Sequence, residues 1–133
     1  MPDVRQVAIN NDLDVVAARV EGRNLAKAMG FGVIDQARIA TAISELARNV
    51  VLYAEGGWVT LRRIDSGENA GIEILCEDRG RGIENVEKVL QEDASTERGE
   101  GMGLPGTKRL MDEFEIESRL GEGTTVRARK WLR

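Results

Sequence analysis

The chain of 133 residues contains no histidine, and this absence excludes several kinds of chemistry at once. Imidazole is the side chain whose charge changes near neutral pH, and it is a common metal ligand. The chain therefore has no histidine-based acid–base catalysis, no histidine metal site and no phosphohistidine intermediate. Any proton transfer must use other side chains.

Cysteine, long apolar runs and excess positive charge are also scarce. Cys76 is the single cysteine, so an internal disulfide is excluded. No apolar run approaches the roughly 18 residues that span a bilayer, and no signal peptide is predicted. The net charge is -4 at pH 7, which does not favour a general nucleic-acid binder. We expect a cytoplasmic protein of one domain, residues 1–133, with neither nucleic acid nor membrane as partner.

Hydrophobic periodicity predicts two long helices early in the chain. The first covers about residues 13–29, after an N-cap at Asn11 or Asp12, with positions 16, 20, 25 and 28 on its apolar side. The second covers about residues 34–53 and has an apolar stripe at positions 39, 43, 46 and 50. Shorter helices are predicted over residues 83–90 and from residue 107 to 111.

Alternating apolar residues predict strands at about residues 4–10, 58–64, 71–77, 113–119 and 124–132. The last two carry Glu113, Glu115 and Glu117 opposite Arg127 and Arg129, a pattern typical of a solvated cross-strand charge ladder, with a docking surface as the alternative. The predicted fold class is α+β, a two-layer α/β sandwich. It has a mixed, largely antiparallel sheet with helices on one face and a polar face opposite.

The stretch Asp78-Arg79-Gly80-Arg81-Gly82-Ile83 follows the third predicted strand. Positions 72, 74, 76 and 78 share one face, so a carboxylate ends the core-facing row, where it needs hydrogen-bond donors. The two glycines permit positive φ and close approach to the backbone. This combination suits a flat ligand that presents donors, such as a purine base. The alternative is a strand end followed by an Asp turn and a loop.

Two further groups of residues favour ligand binding. Glu45 and Asn49 lie four apart on the second helix, about 100° round from its apolar stripe, so a ligand could lie between helix and sheet. The alternative is a solvated Glu and an Asn near a helix end. Four glycines at positions 99–106 could present backbone N–H groups to an anion, unless they form a flexible surface loop. Thr124, at the start of the last strand, faces the same interior as Asp78.

The order of these motifs resembles the four nucleotide-binding boxes of the GHKL ATPase/kinase superfamily, with its Bergerat ATP-binding fold. The matching motifs are Glu45-x-x-x-Asn49, Asp78-x-Gly80-x-Gly82, Gly101-x-Gly103 and Gly123-Thr124. The short lid, Glu97-Arg98-Gly99-Glu100-Gly101-Met102-Gly103-Leu104, is most similar to that of bacterial anti-sigma-type serine/threonine kinases, and in particular the switch kinases of the stressosome. The absence of histidine and of a predicted second domain favours a free-standing kinase that acts on a separate protein.

This resemblance implies a role for each motif. Glu45 would be the general base on a protein serine or threonine, Asn49 would coordinate Mg²⁺, and Asp78, assisted by Thr124, would accept the adenine amino group of ATP. The other nucleotide-binding positions that it implies are Gly80, Gly82, Arg98, Gly101, Met102 and Gly103.

The implied function is phosphorylation of STAS-domain proteins, which are both substrate and scaffold of the stressosome, followed by activation of a PP2C-type phosphatase through binding. The alternatives are an anti-sigma factor that sequesters a sigma factor and phosphorylates its antagonist, and a nucleotide-binding fold without transfer activity.

Overall fold

A computed structural model describes residues 4–80, 82 and 103–133, in which five strands and three helices are formed. The predicted helix over residues 83–90 lies outside these residues. In chain order the elements are β1 (Val4–Ile9), α1 (Asp12–Met29), α2 (Val33–Tyr53), β2 (Gly57–Ser66), β3 (Asn69–Asp78), α3 (Gly103–Leu110), β4 (Glu113–Arg119) and β5 (Gly123–Trp131).

The strands form one sheet in the order β1-β2-β3-β5-β4, and all four pairings between described strands are antiparallel. The α+β class is therefore confirmed. The sheet was predicted to be mixed and largely antiparallel, and the described pairings are all antiparallel. Val59, Cys76 and Val126 lie side by side across the three central strands, and all three are buried beneath the helices. Alternation along each strand leaves the opposite face polar.

The apolar stripe of α2 forms the centre of the core, as the sequence predicts. Ile39, Ile43, Leu46 and Val50 are each at most 2% exposed. Each helix in the described part of the chain is too short or too polar to cross a membrane.

The ends of α1 agree with the sequence prediction, but its predicted buried side is wrong. Asn11 caps the helix by accepting a hydrogen bond from the Asp14 backbone N–H, and Gly30 ends it with φ +97°. However, Val16 and Val20 are 43% and 48% exposed. The residues that face the core instead are Val15, Ala18, Gly22, Leu25 and Ala26, so only position 25 of the predicted apolar side is inside.

Close packing of α1 against α2 explains this difference. A Cβ added at Gly22 would lie 2.0 Å from Cδ1 of Ile43. Only small residues fit where the two helices approach this closely, so Ala18 and Gly22 turn inward although valines are more hydrophobic. Helix α3 also differs from the prediction, because it begins at Gly103 rather than Thr107.

The charge ladder on the polar face of the sheet is confirmed, with a member that the sequence analysis missed. Arg129 contacts Glu113 and Arg127 contacts Glu115, whereas Glu117 lies opposite Thr125. The missed member is Glu73, whose side chain is 4% exposed and accepts hydrogen bonds of 2.8 Å from both Arg62 and Arg129. Arg127 lies 3.7 Å from the same carboxylate. A strand glutamate surrounded by arginines on both neighbouring strands was the available signal.

We expect the Glu73→Ala substitution to lower the free energy of unfolding by about 2 kcal/mol, because it leaves three cations without their shared acceptor. The figure is below that of a fully buried pair because Arg62 and Arg127 are 52% and 41% exposed. Urea unfolding at low salt measures the effect. Glu115→Ala is the control: its side chain is 60% exposed, and its loss should cost under about 0.5 kcal/mol. Equal losses in the two variants would contradict this assignment.

Burial, together with the smaller effect of the nearby charges of Asp78 and Glu77, raises the pKa of the Cys76 thiol to about 12. The thiolate is the reactive form, so Cys76 should react with an aromatic disulfide reagent at pH 8 only after the chain unfolds in urea. Because the folded state holds the proton more tightly, the contribution of Cys76 to stability is complete below the ordinary thiol pKa and is lost as the pH rises towards 12. Cys76→Ala should remove this part of the pH dependence. Rapid labelling of the folded chain would show the thiol to be accessible.

Candidate functional site

Asp78, the last residue of β3, fixes one corner of the candidate site. Its Oδ1 accepts hydrogen bonds from the backbone N–H groups of Gly80, at 2.9 Å, and Thr124, at 3.1 Å. Within residues 4–80, 82 and 103–133, no donor contacts Oδ2. The carboxylate is half-buried and held in place, with one oxygen left to accept a donor from a ligand.

Two glycines that the sequence analysis gave no packing role allow this arrangement. A Cβ at Gly57, the residue paired with Asp78, would lie 2.2 Å from the carbonyl oxygen of Glu77. A Cβ at Gly123, where φ is +87°, would lie 2.2 Å from the carbonyl oxygen of Asp78. Both positions therefore require glycine for the strands to meet. The sequence offered a signal for both glycines: Gly123 directly precedes Thr124, and Gly57 is part of a Gly56-Gly57 pair.

The structure gives Gly80 and Gly82 a packing role within the protein. A Cβ at Gly80 would lie 3.0 Å from the carbonyl oxygen of Tyr53, at the end of α2. At Gly82, where φ is +78°, a Cβ would lie 1.9 Å from the carbonyl oxygen of Arg119. These glycines thus let the loop after β3 pack against α2 and the end of β4. Contact with the base and sugar of a nucleotide stays a prediction.

Thr124 completes the corner as the sequence predicts, and Ser118 orients it. The two hydroxyl oxygens are 2.7 Å apart, and the Ser118 hydroxyl also donates to the carbonyl oxygen of Gly123. Ser118 and Thr124 are directly paired across β4 and β5. Sequence reasoning missed Ser118, although two hydroxyl residues flanking a tight turn are a usable signal.

Glu45 and Asn49 lie half-buried on the flank of α2, as their spacing predicts. Neither side chain makes a hydrogen bond or ion pair with another residue in the described part of the chain. In the described residues every buried side-chain N or O atom has a hydrogen-bond partner, so the unpartnered atoms of Glu45 and Asn49 are accessible to solvent. Their polar atoms are therefore available to a ligand.

Two contacts show that Asn49 and Asp78 belong to the same edge of the sheet. The Cys76 thiol donates to the carbonyl oxygen of Leu46, at 3.7 Å. Further along the helix, Gly80 packs against Tyr53 and Ala54. Asn49 lies on α2 between these two contacts, so the helix carries it past the end of β3. Glu45 precedes Asn49 by about one helical turn on the same flank.

The glycine-rich segment is described from Gly103, the third of its four glycines. Gly103, with φ +60°, is the first residue of α3, which packs against α2. Thr107 is fully buried, and its hydroxyl donates within the same helix to the Gly103 carbonyl oxygen. A helix N-terminus carries partial positive charge and directs backbone N–H groups that can bind an anion. Three other predicted site residues, Arg98, Gly101 and Met102, lie outside the described residues.

Comparison with known proteins gives a family match and two curated relatives. A family model described as a histidine kinase-like ATPase domain matches residues 9–130. The serine/threonine-protein kinase RsbT of Bacillus subtilis (strain 168) is 52% identical over 133 residues, which is the full length of both chains. An anti-sigma F factor of Thermoanaerobacter sp. (strain X514) is 37% identical over 102 residues, covering 72% of this chain and 70% of the relative.

Solved structures share the fold at lower identity. The RsbU and RsbW domains of Rv1364c from Mycobacterium tuberculosis match 97% of this chain with a TM-score of 0.62 and 20% identity. This chain spans 33% of that protein. The catalytic domain of the histidine kinase ThkA matches with a TM-score of 0.52 and 16% identity, over 95% of each chain. Both similarities concern the fold alone.

The free oxygen of Asp78 predicts a specific effect of the Asp78→Asn substitution on ATP binding. The asparagine oxygen can still accept from Gly80 and Thr124, but an NH₂ group replaces Oδ2 and would face the adenine amino group donor to donor. We expect ATP affinity to fall by about 1–3 kcal/mol, measured by calorimetry. Purine riboside triphosphate, which lacks the amino group, should bind both proteins almost equally. Asp65→Asn, at the exposed hairpin, is the control, and unchanged ATP affinity in Asp78→Asn would remove the adenine role.

Proposed function

Because the chain belongs to the histidine kinase-like ATPase domain family, and within it to the RsbT-related serine/threonine-protein kinases, we propose that its protein substrates are STAS-domain regulators. The resemblance to GHKL kinases of the anti-sigma type is thereby confirmed. The chain is an ATP-dependent protein serine/threonine kinase, as its 52% sequence identity to RsbT over the full length of both chains supports. The proposed reaction transfers the γ-phosphate of ATP to a serine or threonine of a STAS-domain protein of the stressosome.

The observation that carries this proposal is the α2 pair beside the Asp78 corner. Glu45 and Asn49 both keep polar atoms without partners in the described residues, on the helix that passes the end of β3. A chain that only bound nucleotide would need no general base at this place. The donor set also suits phosphoryl transfer, which depends mainly on positioning and charge neutralisation.

Each residue then has a role in a bound complex. Asp78 and Thr124 orient the adenine, and Gly80 and Gly82 lie against the base and sugar. Asn49 would offer its amide oxygen to Mg²⁺, which would supply neutralisation of phosphate charge. Glu45 removes the proton from the acceptor hydroxyl. Phosphate contacts are assigned to Arg98, Gly101, Met102 and Gly103.

The proposal extends to a binding role, in which the kinase activates a PP2C-type phosphatase by contact after it leaves its phosphorylated substrate. It places the protein in the cytoplasm, in the pathway that controls a stress-response sigma factor, with residues 1–133 as one kinase domain. The curated relatives support a place in sigma-factor regulation, since one of them is an anti-sigma F factor.

That relative also favours a second candidate function, an anti-sigma factor that sequesters a sigma factor and phosphorylates its antagonist. Full-length identity with RsbT is higher, at 52% against 37%, and favours the first candidate. A pull-down with immobilised chain against a sigma factor and a PP2C-type phosphatase separates the two. Retention of the sigma factor alone would favour the second.

Phosphoryl transfer from labelled ATP to a panel of STAS-domain proteins tests the function and the base together. We expect label on at least one STAS protein, and a loss of about 100-fold or more in rate with Glu45→Gln, because the amide cannot take the hydroxyl proton. ATP affinity should stay within about threefold of the original value, since a general base adds little to nucleotide binding. Asn49→Asp should also stop transfer.

Glu68→Gln and Asn69→Asp, at exposed positions in the hairpin between β2 and β3, are the matched controls and should transfer at the original rate. Tight ATP binding without transfer to any STAS protein would contradict the proposed substrate class. Full activity of Glu45→Gln would contradict the proposed base, whichever substrate is used.

A further inference from the structure

The outward face of α1 carries features that the fold does not explain. Leu13, Val16 and Val20 are 79%, 43% and 48% exposed. At spacing i, i+3, i+7 they form one apolar strip along the helix. We define the α1 outer surface as this strip with the exposed cations beside it, Arg19, Arg23 and Lys27.

The three cations have the spacing i, i+4, i+8 and so form a row along the helix. Arg19 and Arg23 each follow a valine of the strip by three residues, so the row lies beside the strip. None of these side chains makes a hydrogen bond or ion pair with any residue in the described ranges. Several cations elsewhere are paired: Arg5 with Glu21, Arg38 with Asp35, and three sheet arginines with Glu73. In a chain of net charge -4, an unpaired basic row is a local excess of positive charge.

The rest of the fold holds this surface rigidly. The opposite face of α1 is buried against α2, with Gly22 against Ile43, and both helix ends are capped, by Asn11 and by Gly30. A helix that cannot rotate or unwind presents its outer side chains in a fixed arrangement. Such preorganisation lowers the entropy lost on binding.

We propose that the α1 outer surface docks an acidic amphipathic helix of a partner protein. The apolar strip has the helical spacing that packs against the apolar stripe of another helix. Acidic residues on the flank of the partner helix would lie against Arg19, Arg23 and Lys27, which have no ion pair within the described residues. Packing contributes affinity, and the charges contribute orientation and faster association.

The two other occupants of a basic apolar helix face fit less well. A membrane-surface helix buries a broad apolar face rich in Trp, Phe or Leu, whereas this strip has three aliphatic residues and the opposite face of α1 is in the core. The net charge of the chain also opposes binding to anionic lipid. Antiparallel pairing with a second copy of α1 would place the basic row against itself.

This docking surface is independent of the phosphoryl-transfer site. Glu45 and Asn49 lie on α2, whereas the outer surface is the face of α1 turned away from α2. The inference therefore needs neither ATP nor the proposed substrate class. A partner held there would leave the nucleotide corner open.

Binding of a fluorescent synthetic helix to the full chain tests the inference. The probe has about 18 residues, with leucines at i, i+3, i+4 and i+7 and glutamates on both flanks. We expect saturable binding by anisotropy, weakened as salt is raised. The double variant Arg19→Glu, Arg23→Glu should raise Kd at least about tenfold, and Val16→Ser, Val20→Ser by a similar factor.

A double-variant control uses positions outside the surface. Arg63→Glu with Val33→Ser changes one exposed cation and one exposed valine elsewhere and should leave Kd within about twofold. Circular dichroism and ATP affinity, measured for every variant, test whether each one is folded. A probe with lysine in place of glutamate, or with scrambled leucines, should not bind.

Absence of binding by the acidic probe, or equal binding by its lysine or scrambled form, would overturn the inference. So would association of the chain with phosphatidylglycerol vesicles that is lost in the Arg19→Glu, Arg23→Glu variant, since the surface would then bind lipid. Self-association in sedimentation that the Val16→Ser, Val20→Ser variant abolishes would assign the surface to a second copy of the chain.

Discussion

The candidate site depends on a single carboxylate oxygen. Oδ1 of Asp78 accepts from Gly80, in the loop after β3, and from Thr124, at the start of β5, and so fixes two segments that are distant in sequence. Gly57 and Gly123 allow the backbone to come close enough for these bonds. Because one oxygen serves the protein, the other can serve a ligand without loosening the corner.

Helix α2 combines core packing and chemistry by using different sides. Its stripe of Ile39, Ile43, Leu46 and Val50 is buried, and the helical period places Glu45 and Asn49 on the flank. Substitutions on this flank can therefore alter catalysis with little effect on the core. The same division holds for α1, whose inner face sets helix packing while its outer face presents an apolar strip and a basic row.

Much of the site was predictable, because motif spacing in a regular element fixes which side chains share a face. The positions of Glu45, Asn49, Asp78 and Thr124 followed from helix and strand periods. The roles of Ser118, Gly57 and Glu73 were not predictable in this way, since each depends on a neighbour on another strand. Their partners are set by strand order and register, which periodicity within one segment does not contain.

By itself, the sequence determined the α+β class, the buried stripe of α2, the core-facing row of β3 and the residue types available for chemistry. Only the tertiary structure decided which side of α1 is buried. Hydrophobicity favoured Val16 and Val20, but the short distance to α2 required Ala18 and Gly22. Packing two helices closely is a steric constraint between segments, and it outweighs the apolar preference of single residues because overlap costs more than exposing a valine.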